Sequence, residues 1–344
     1  MRVSLSHKVD YDYLESGLIF AQPCKPIIIG HFNSIFIPII YSLVFVLGVF
    51  GNGALIFIIA RYKYSRTLTD SFILHLAIAD FVLVLTLPFW MVEAVSGWLF
   101  GVGMCKVMGW IFALNLYSSI LFLVCISFDR YLAIVHAIHM YHKRKPVYIQ
   151  ATCLVVWLFC LLLATVDLIF RDVYQPSYLT MKTCTYSFGV ESAEGWKLAL
   201  SLVHQSLGFF LPISAMLHCY CLIFRSLWRS NIFEKQKTLK VVVALVVVFV
   251  ICWLPYNVVL FVDTLQSLGA IHADCARLNA LDISRTVTQS LGLVHSCLNP
   301  LLYAFIGVKF RGEMLRLLAH TGSRKHSHTF SRQSSREPRS SSTF

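Results

Sequence analysis

The sequence predicts an all-α membrane protein: a seven-transmembrane helix bundle followed by a short amphipathic helix. Three observations carry this. Of 344 residues, 57% are hydrophobic and 13% charged, against roughly 45–50% and about 25% in a soluble globular protein. Mean hydropathy is +0.70. Seven apolar stretches are long enough to cross a bilayer as helices, which takes about 20 residues each. They lie at 36–60, 71–95, 105–131, 149–170, 199–224, 239–264 and 283–306. A secreted disulfide module, a disordered scaffold and a cytosolic enzyme are all excluded by such a composition.

Each segment then takes a place. Residues 1–35 form an N-terminal segment with Asp10, Asp12 and Glu15 and no basic start before an apolar block. No cleavable signal peptide is expected. Residues 36–306 form the bundle, because only short polar segments separate the spans. The run from Lys309 to Leu318 is amphipathic, and 307–320 is expected to lie along the membrane surface. Residues 321–344 are Ser, Arg and His without an apolar period, so a disordered tail is expected. Its serines and threonines, Ser331, Ser334, Ser335, Ser340, Ser341, Ser342 and Thr343, are candidate phosphorylation sites.

The net charge of +12 reads as cytoplasmic positive charge on a membrane protein, not as nucleic-acid binding. Residues 61–69, 132–148, 225–240 and the tail from Lys309 hold 19 Lys or Arg, and Arg130 makes 20; the other side holds 9. The positive-inside rule puts the N-terminus outside and the tail in the cytoplasm.

Ionisable and amide groups inside a bilayer are costly and mark function. Asp80 lies mid-span, and Asn52, Asn115, Ser119 and Asn299 lie at similar depth on three other spans. They form either a cluster that glues helices or a site for a small cation such as sodium; the second is the expectation adopted. The third span ends in Asp129-Arg130-Tyr131, whose adjacent charges can pair locally. The sixth carries Trp253-Leu254-Pro255-Tyr256 and the seventh Asn299-Pro300-Leu301-Leu302-Tyr303. A proline inside a span removes a backbone bond and permits a kink.

With Asn52, Asp80, Arg130, Trp157, Pro212, Pro255 and Pro300 each on its own span and in order, residues 36–318 resemble rhodopsin-like G-protein-coupled receptors. The resemblance implies a Cys105–Cys184 disulfide, a switch at Trp253 and Pro255, and rearrangement of Arg130, Tyr220 and Tyr303 when the sixth helix swings out to admit a G protein. Thr86-Leu87-Pro88-Phe89-Trp90 further resembles the chemokine-receptor signature. That family implies a second disulfide, Cys24–Cys275, and sulfation of Tyr11 and Tyr13 in the acidic run Asp10 to Glu15. No Asn-x-Ser/Thr sequon occurs, so N-glycosylation is not expected.

Four acids are predicted at the outer mouth: Glu93, Asp167, Asp263 and Asp282. Trp90, Phe112 and Tyr256 offer an aromatic floor. An acidic, aromatic cavity suits the cationic N-terminus of a basic protein ligand. Within the chemokine receptors, the run Asp129 to Ala137, Phe261 to Leu265 and Leu301 to Arg311 are most similar to the type 3 branch of CXC receptors. Arg285 stands where that branch has lysine, and Gln289 and Leu293 where it has serine and tyrosine; Arg285 and Gln289 are carried as ligand residues. The resemblance implies a plasma-membrane receptor for a CXC chemokine, coupled to a Gi-type G protein, regulated through its tail by receptor kinases and arrestin, and directing leukocyte chemotaxis in an immune response. The alternative within the same fold is a scavenger that internalises chemokine without activating G protein; the intact Asp129-Arg130-Tyr131 favours signalling.

Other classes fit poorly. Residues 283–306 contain no lysine for a retinal Schiff base. No internal repeat of a transporter is visible. No nucleophile–base set, metal spacing or phosphate-cradling loop is present, so no enzyme is expected.

Overall fold

The computed structural model describes residues 27–61, 68–136, 146–175, 181–188, 193–230, 237–271 and 274–306. Seven helical rods form a bundle. The first is α1 (Ile27–Arg61), and the second is broken into α2 (Leu68–Val84) and α3 (Leu87–Ser96). Next come α4 (Gly101–Val135) and α5 (Pro146–Phe170). A hairpin of β1 (Arg171–Tyr174) and β2 (Thr183–Tyr186) follows. The fifth rod is α6 (Ala193–Gln205), a π-helical turn (Ser206–Phe210) and α7 (Leu211–Ser230). The last two are α8 (Lys237–Ser267) and α9 (Cys275–Ile306).

Six of the seven rods are long and apolar enough to cross a membrane by length and composition. The seventh, α9, has 32 residues but carries Arg277, Asp282, Arg285, His295 and Asn299. It buries those groups that would meet lipid against its neighbours: His295 and Ser296 are fully buried. The bundle is polar at its centre and apolar outside. Asn52, Asp80 and Ser119 have no exposure, while Phe50, Leu162 and Trp228 are among the most exposed side chains. Lipid is the solvent that makes such an arrangement stable.

Local chemistry accounts for the irregularities. Pro88 cannot donate to the ladder and its ring clashes with the carbonyl four residues back. The helix therefore opens at Leu85 and Thr86, and the Leu83 carbonyl accepts both the Thr86 N–H at 2.9 Å and Thr86 Oγ1 at 2.7 Å. The π turn precedes Pro212 and admits one extra residue per turn. Pro255 and Pro300 sit inside continuous helices. Small residues let backbones approach: a Cβ at Gly48 would lie 2.6 Å from Val84 Cγ1, and one at Gly51 3.0 Å from Pro300.

Several span ends differ from expectation. The first rod starts at Ile27 instead of 36, the fifth at Ala193 instead of 199 and the seventh at Cys275 instead of 283. These extensions are mixed in character, so an apolar-run criterion starts each span too late. The hairpin was not expected of an all-α chain. Its strands pair antiparallel with Arg171 opposite Tyr186 and Val173 opposite Cys184. Cys184 is bonded to Cys105 of α4, and the Lys182 carbonyl accepts the Trp98 N–H at 2.8 Å. Lys106 Nζ caps the end of α5 through the Leu168 carbonyl at 2.9 Å and that of Ile169 at 3.3 Å, a cation placed where the helix dipole favours it. Cys275 is disulfide-bonded. Its expected partner Cys24, the sulfation candidates Tyr11 and Tyr13, the amphipathic helix at 307–320 and the tail lie outside the described residues.

The Cys105–Cys184 bond closes a loop of 79 residues. Cys105→Ser is expected to destabilise the purified protein by about 2–5 kcal/mol, read as a drop of several degrees in its thermal unfolding midpoint in nanodiscs. An unchanged midpoint would show that the hairpin is anchored by other contacts.

Candidate functional site

At the hairpin end, α6, α8, α9 and β2 enclose a cavity lined by Tyr186, Phe188, Lys197, His204, Tyr256, Asp263 and Arg285, among others. Lys197, Ser201 and His204 follow at helical spacing on one face of α6. Asp263 on α8 is met by two cations: Arg285 Nη2 of α9 at 2.6 Å and Lys197 Nζ of α6 at 3.5 Å. These side chains are only 10–18% exposed. A shared carboxylate with two cations leaves the cluster with one net positive charge. Gln205 Nε2 adds a buried link to Thr264 Oγ1 at 3.1 Å.

The structure gives the four acids predicted at the outer mouth different surroundings. Asp263 is among the cavity-lining residues and is paired with both cations. Asp167 is held by Arg171 at 2.5 Å. Glu93 Oε1 accepts the Cys184 backbone N–H at 2.7 Å. Asp282 is exposed on α9. Counting acids along the chain does not show these partners: the cations of Asp263 lie on α6 and α9, and that of Asp167 on β1. Lys197 was read as loop when the fifth span was started at 199. Trp90 packs against Trp98 at 5.6 Å, Phe112 packs into two core clusters, and Gln289 is 9% exposed on α9.

Beneath the cavity a contiguous set of contacts runs to the bundle centre. His204 and Tyr256 meet edge to face at 5.8 Å, and Tyr256 meets Trp253 at 5.7 Å. Gly292 makes room for the indole, since a Cβ there would lie 2.8 Å from the ring. Trp253 Nε1 donates to His295 Nδ1 at 3.2 Å, and His295 Nε2 lies 3.7 Å from Asp80 Oδ1. Asp80 also accepts Asn115 Nδ2 at 2.9 Å, Ser119 Oγ at 3.4 Å and Asn299 Nδ2 at 2.8 Å.

The fifth member of the expected network, Asn52, turns its Nδ2 to backbone, donating to the carbonyls of Gly48 at 3.0 Å and Ser296 at 2.9 Å. His295 joins the cluster although sequence reasoning passed over it. Its signal was available, because His295 and Asn299 stand four apart and share a helix face. The residues fit a small hard cation: beside the Asp80 carboxylate and the Ser119 and Ser296 hydroxyls, the buried Asn52 Oδ1 has no hydrogen-bond partner among the described residues, and hard cations take oxygen donors.

At the far end of α4, Arg130 Nη2 pairs with Asp129 Oδ2 at 2.5 Å. Thr69 of α2 joins both, donating to Asp129 Oδ2 at 2.8 Å and accepting from Arg130 at 2.5 Å. The arginine is thus latched to its own helix and to α2. Tyr131 bonds His136 at 3.0 Å, and Tyr220 of α7 bonds Ser127 at 2.9 Å. The buried Tyr303 hydroxyl has no hydrogen-bond partner among the described residues.

A seven-rod bundle with a disulfide-tied hairpin, a polar centre and a latched Arg130 defines a class of membrane receptor. Residues 51–303 match the profile of the 7 transmembrane receptor (rhodopsin family), and the chain belongs to that family. It is 43% identical over 315 residues to C-X-C chemokine receptor type 3 of Bos taurus, covering 91% of this chain and 85% of that protein. The Homo sapiens type 3 receptor is 42% identical over 315 residues, covering 91% and 84%. The Homo sapiens C-X-C chemokine receptor type 2 is 41% identical over 316 residues, covering 91% and 87%. Within the rhodopsin family the chain therefore stands among the chemokine receptors, a multi-pass membrane receptor and not an enzyme.

Asn299→Val removes the donor to Asp80 Oδ2. The expected cost is about 1–3 kcal/mol for a buried acceptor left unsatisfied, measured as lost thermal stability of the detergent-solubilised receptor. Stability equal to the unsubstituted protein would mean that another donor takes over.

Proposed function

We propose that this chain is a plasma-membrane receptor for C-X-C chemokines that signals through a Gi-type G protein and directs leukocyte migration. The observation that carries the reading is its likeness, over 91% of its length, to C-X-C chemokine receptors. The unbroken Asp129-Arg130-Tyr131 supports signalling over scavenging. The hairpin end with the N-terminus faces outward and the Arg130 end faces the cytoplasm, as the basic residues direct.

A folded basic chemokine docks first on the N-terminal segment, where sulfated Tyr11 and Tyr13 give anionic acceptors. Its flexible N-terminus then enters the hairpin-end cavity. A ligand cation competes with Arg285 and Lys197 for Asp263 and so shifts α8 relative to α6 and α9. The shift is as large as the ligand's differential affinity for the two states, and no larger. Tyr256 and Trp253 carry it toward His295 and Asp80, and release of Arg130 from Asp129 and Thr69 opens the G-protein side. A sodium ion at Asp80, held with the Ser119, Ser296 and Asn52 oxygens, favours the latched state. The serine-rich tail recruits receptor kinases and arrestin.

The first experiment is inhibition of cyclic AMP in transfected cells across a panel of C-X-C chemokines, with labelled-chemokine binding in parallel. Binding with a pertussis-toxin-sensitive fall in cyclic AMP is expected. Binding and internalisation without that fall would make the chain a scavenger. Arg130→Ala is expected to abolish the cyclic AMP response while changing chemokine Kd less than threefold, within roughly 0.6 kcal/mol. Loss of binding in a well-expressed Arg130→Ala variant would count against the latch role.

A further inference from the structure

Arg171, the first residue of β1, turns back one helical turn onto Asp167 of α5. Its Nε lies 2.5 Å from Asp167 Oδ1, with side chains 2% and 5% exposed. Tyr186, opposite Arg171 in the hairpin register, donates its hydroxyl to the same carboxylate oxygen at 2.8 Å. The guanidinium carbon also lies over the Tyr186 ring, 4.7 Å from its centroid, and 5.9 Å from that of Trp90. Space for the guanidinium comes from α4: a Cβ at Gly109 would lie 2.6 Å from Arg171 Cζ and closer still to Nε.

The three groups are mutually dependent. A buried ion pair holds only while its remaining hydrogen-bonding capacity is used, and the Tyr186 hydroxyl uses it. Burial alone would depress the guanidinium pKa, but Tyr186, Asp167 and Glu93 raise it above its ordinary value, so the arginine stays charged. On its other side Tyr186 lines the hairpin-end cavity with Phe188, and the two rings stack at 5.7 Å with planes 8° apart. Phe188 continues to Phe170 at 5.3 Å, and Phe170 to Trp196 of α6 at 4.8 Å. The aromatic wall is built outward from the buried pair.

We propose that Arg171 and Asp167 are a positioning pair that fixes Tyr186, and that Tyr186 is a specificity-determining wall on which the entering N-terminal segment of the ligand packs. Asp167 then serves the hairpin and not the ligand's cation. The proposal rests on a C-X-C chemokine being the ligand.

Two measurements on the full-length receptor in nanodiscs test it. The first uses no ligand: the fluorine-19 spectrum of 3-fluorotyrosine incorporated at position 186. One resonance is expected for the otherwise unaltered protein. Asp167→Asn, Arg171→Met and Gly109→Ala are each expected to shift or split it, the last by evicting the guanidinium without touching either charge. A resonance unmoved by all three overturns the positioning role; should Arg171→Met fail to fold, Gly109→Ala and Asp167→Asn decide.

The second measurement compares Kd for the tightest-binding C-X-C chemokine of the panel with Kd for the same chemokine lacking its flexible N-terminal segment. Tyr186→Leu is expected to weaken the intact chemokine by roughly tenfold, the scale of one desolvated aromatic contact, and to leave the truncated one nearly unchanged. Tyr186→Phe, which keeps the ring, is expected to fall between. Equal losses for both ligands, or no loss for either, overturn the wall role. If the unsubstituted receptor binds no C-X-C chemokine, the ligand reading fails on its own terms, and the fluorine spectra still decide whether Arg171 and Asp167 position Tyr186.

Discussion

A carboxylate at the centre of a bilayer has to be surrounded by its own protein, because lipid offers no donors. Asp80 has no exposure and is held by Asn115 and Ser119 of α4 and Asn299 of α9. The chain that supplies those groups must bring α2, α4 and α9 together at one depth. The rest of the bundle is arranged round that requirement. Large apolar side chains such as Leu76, Ile120 and Phe249 pack beside the polar centre, and the outward faces are left to lipid.

The same economy operates at both ends of the molecule. Arg130 is satisfied by Asp129 and Thr69, and Asp263 by Arg285 and Lys197. In each case a charge is paired by a neighbour that another group can replace. Removing one partner of a buried ion pair costs about 3–5 kcal/mol, whereas exchanging one partner for another leaves the charge satisfied. Clusters of this kind suit a receptor, since they hold one arrangement without making it the only one available. Between them lies the Trp253–His295 contact, which joins α8 to α9 directly above Asp80.

How much of this could be read in the sequence depends on the range of the interaction. Long apolar runs marked all seven rods, because burying an element in lipid needs only local composition. Asp80, Asn115, Ser119 and Asn299 were legible as a set, since a polar residue within an apolar run has few places to go. Rod ends were less clear: Ala193 to Lys197 is amphipathic and falls below any apolar threshold. The hairpin was hidden, as its strands have four residues each. With the hairpin hidden, the Arg171 to Asp167 and Tyr186 contacts were out of reach. Pairing between charges is a tertiary fact, and a tally along the chain reports only half of each pair.

The polarity of α9 bears on how the molecule is made. Polar side chains in the interior of a bilayer are costly, and α9 carries His295, Ser296 and Asn299 at the depth of Asp80, all buried against its neighbours. Six rods qualify for a membrane by their own composition; this one is carried there by company. Its polar face is covered by α1, α2 and α8, so the last rod is compatible with lipid only as part of the closed bundle.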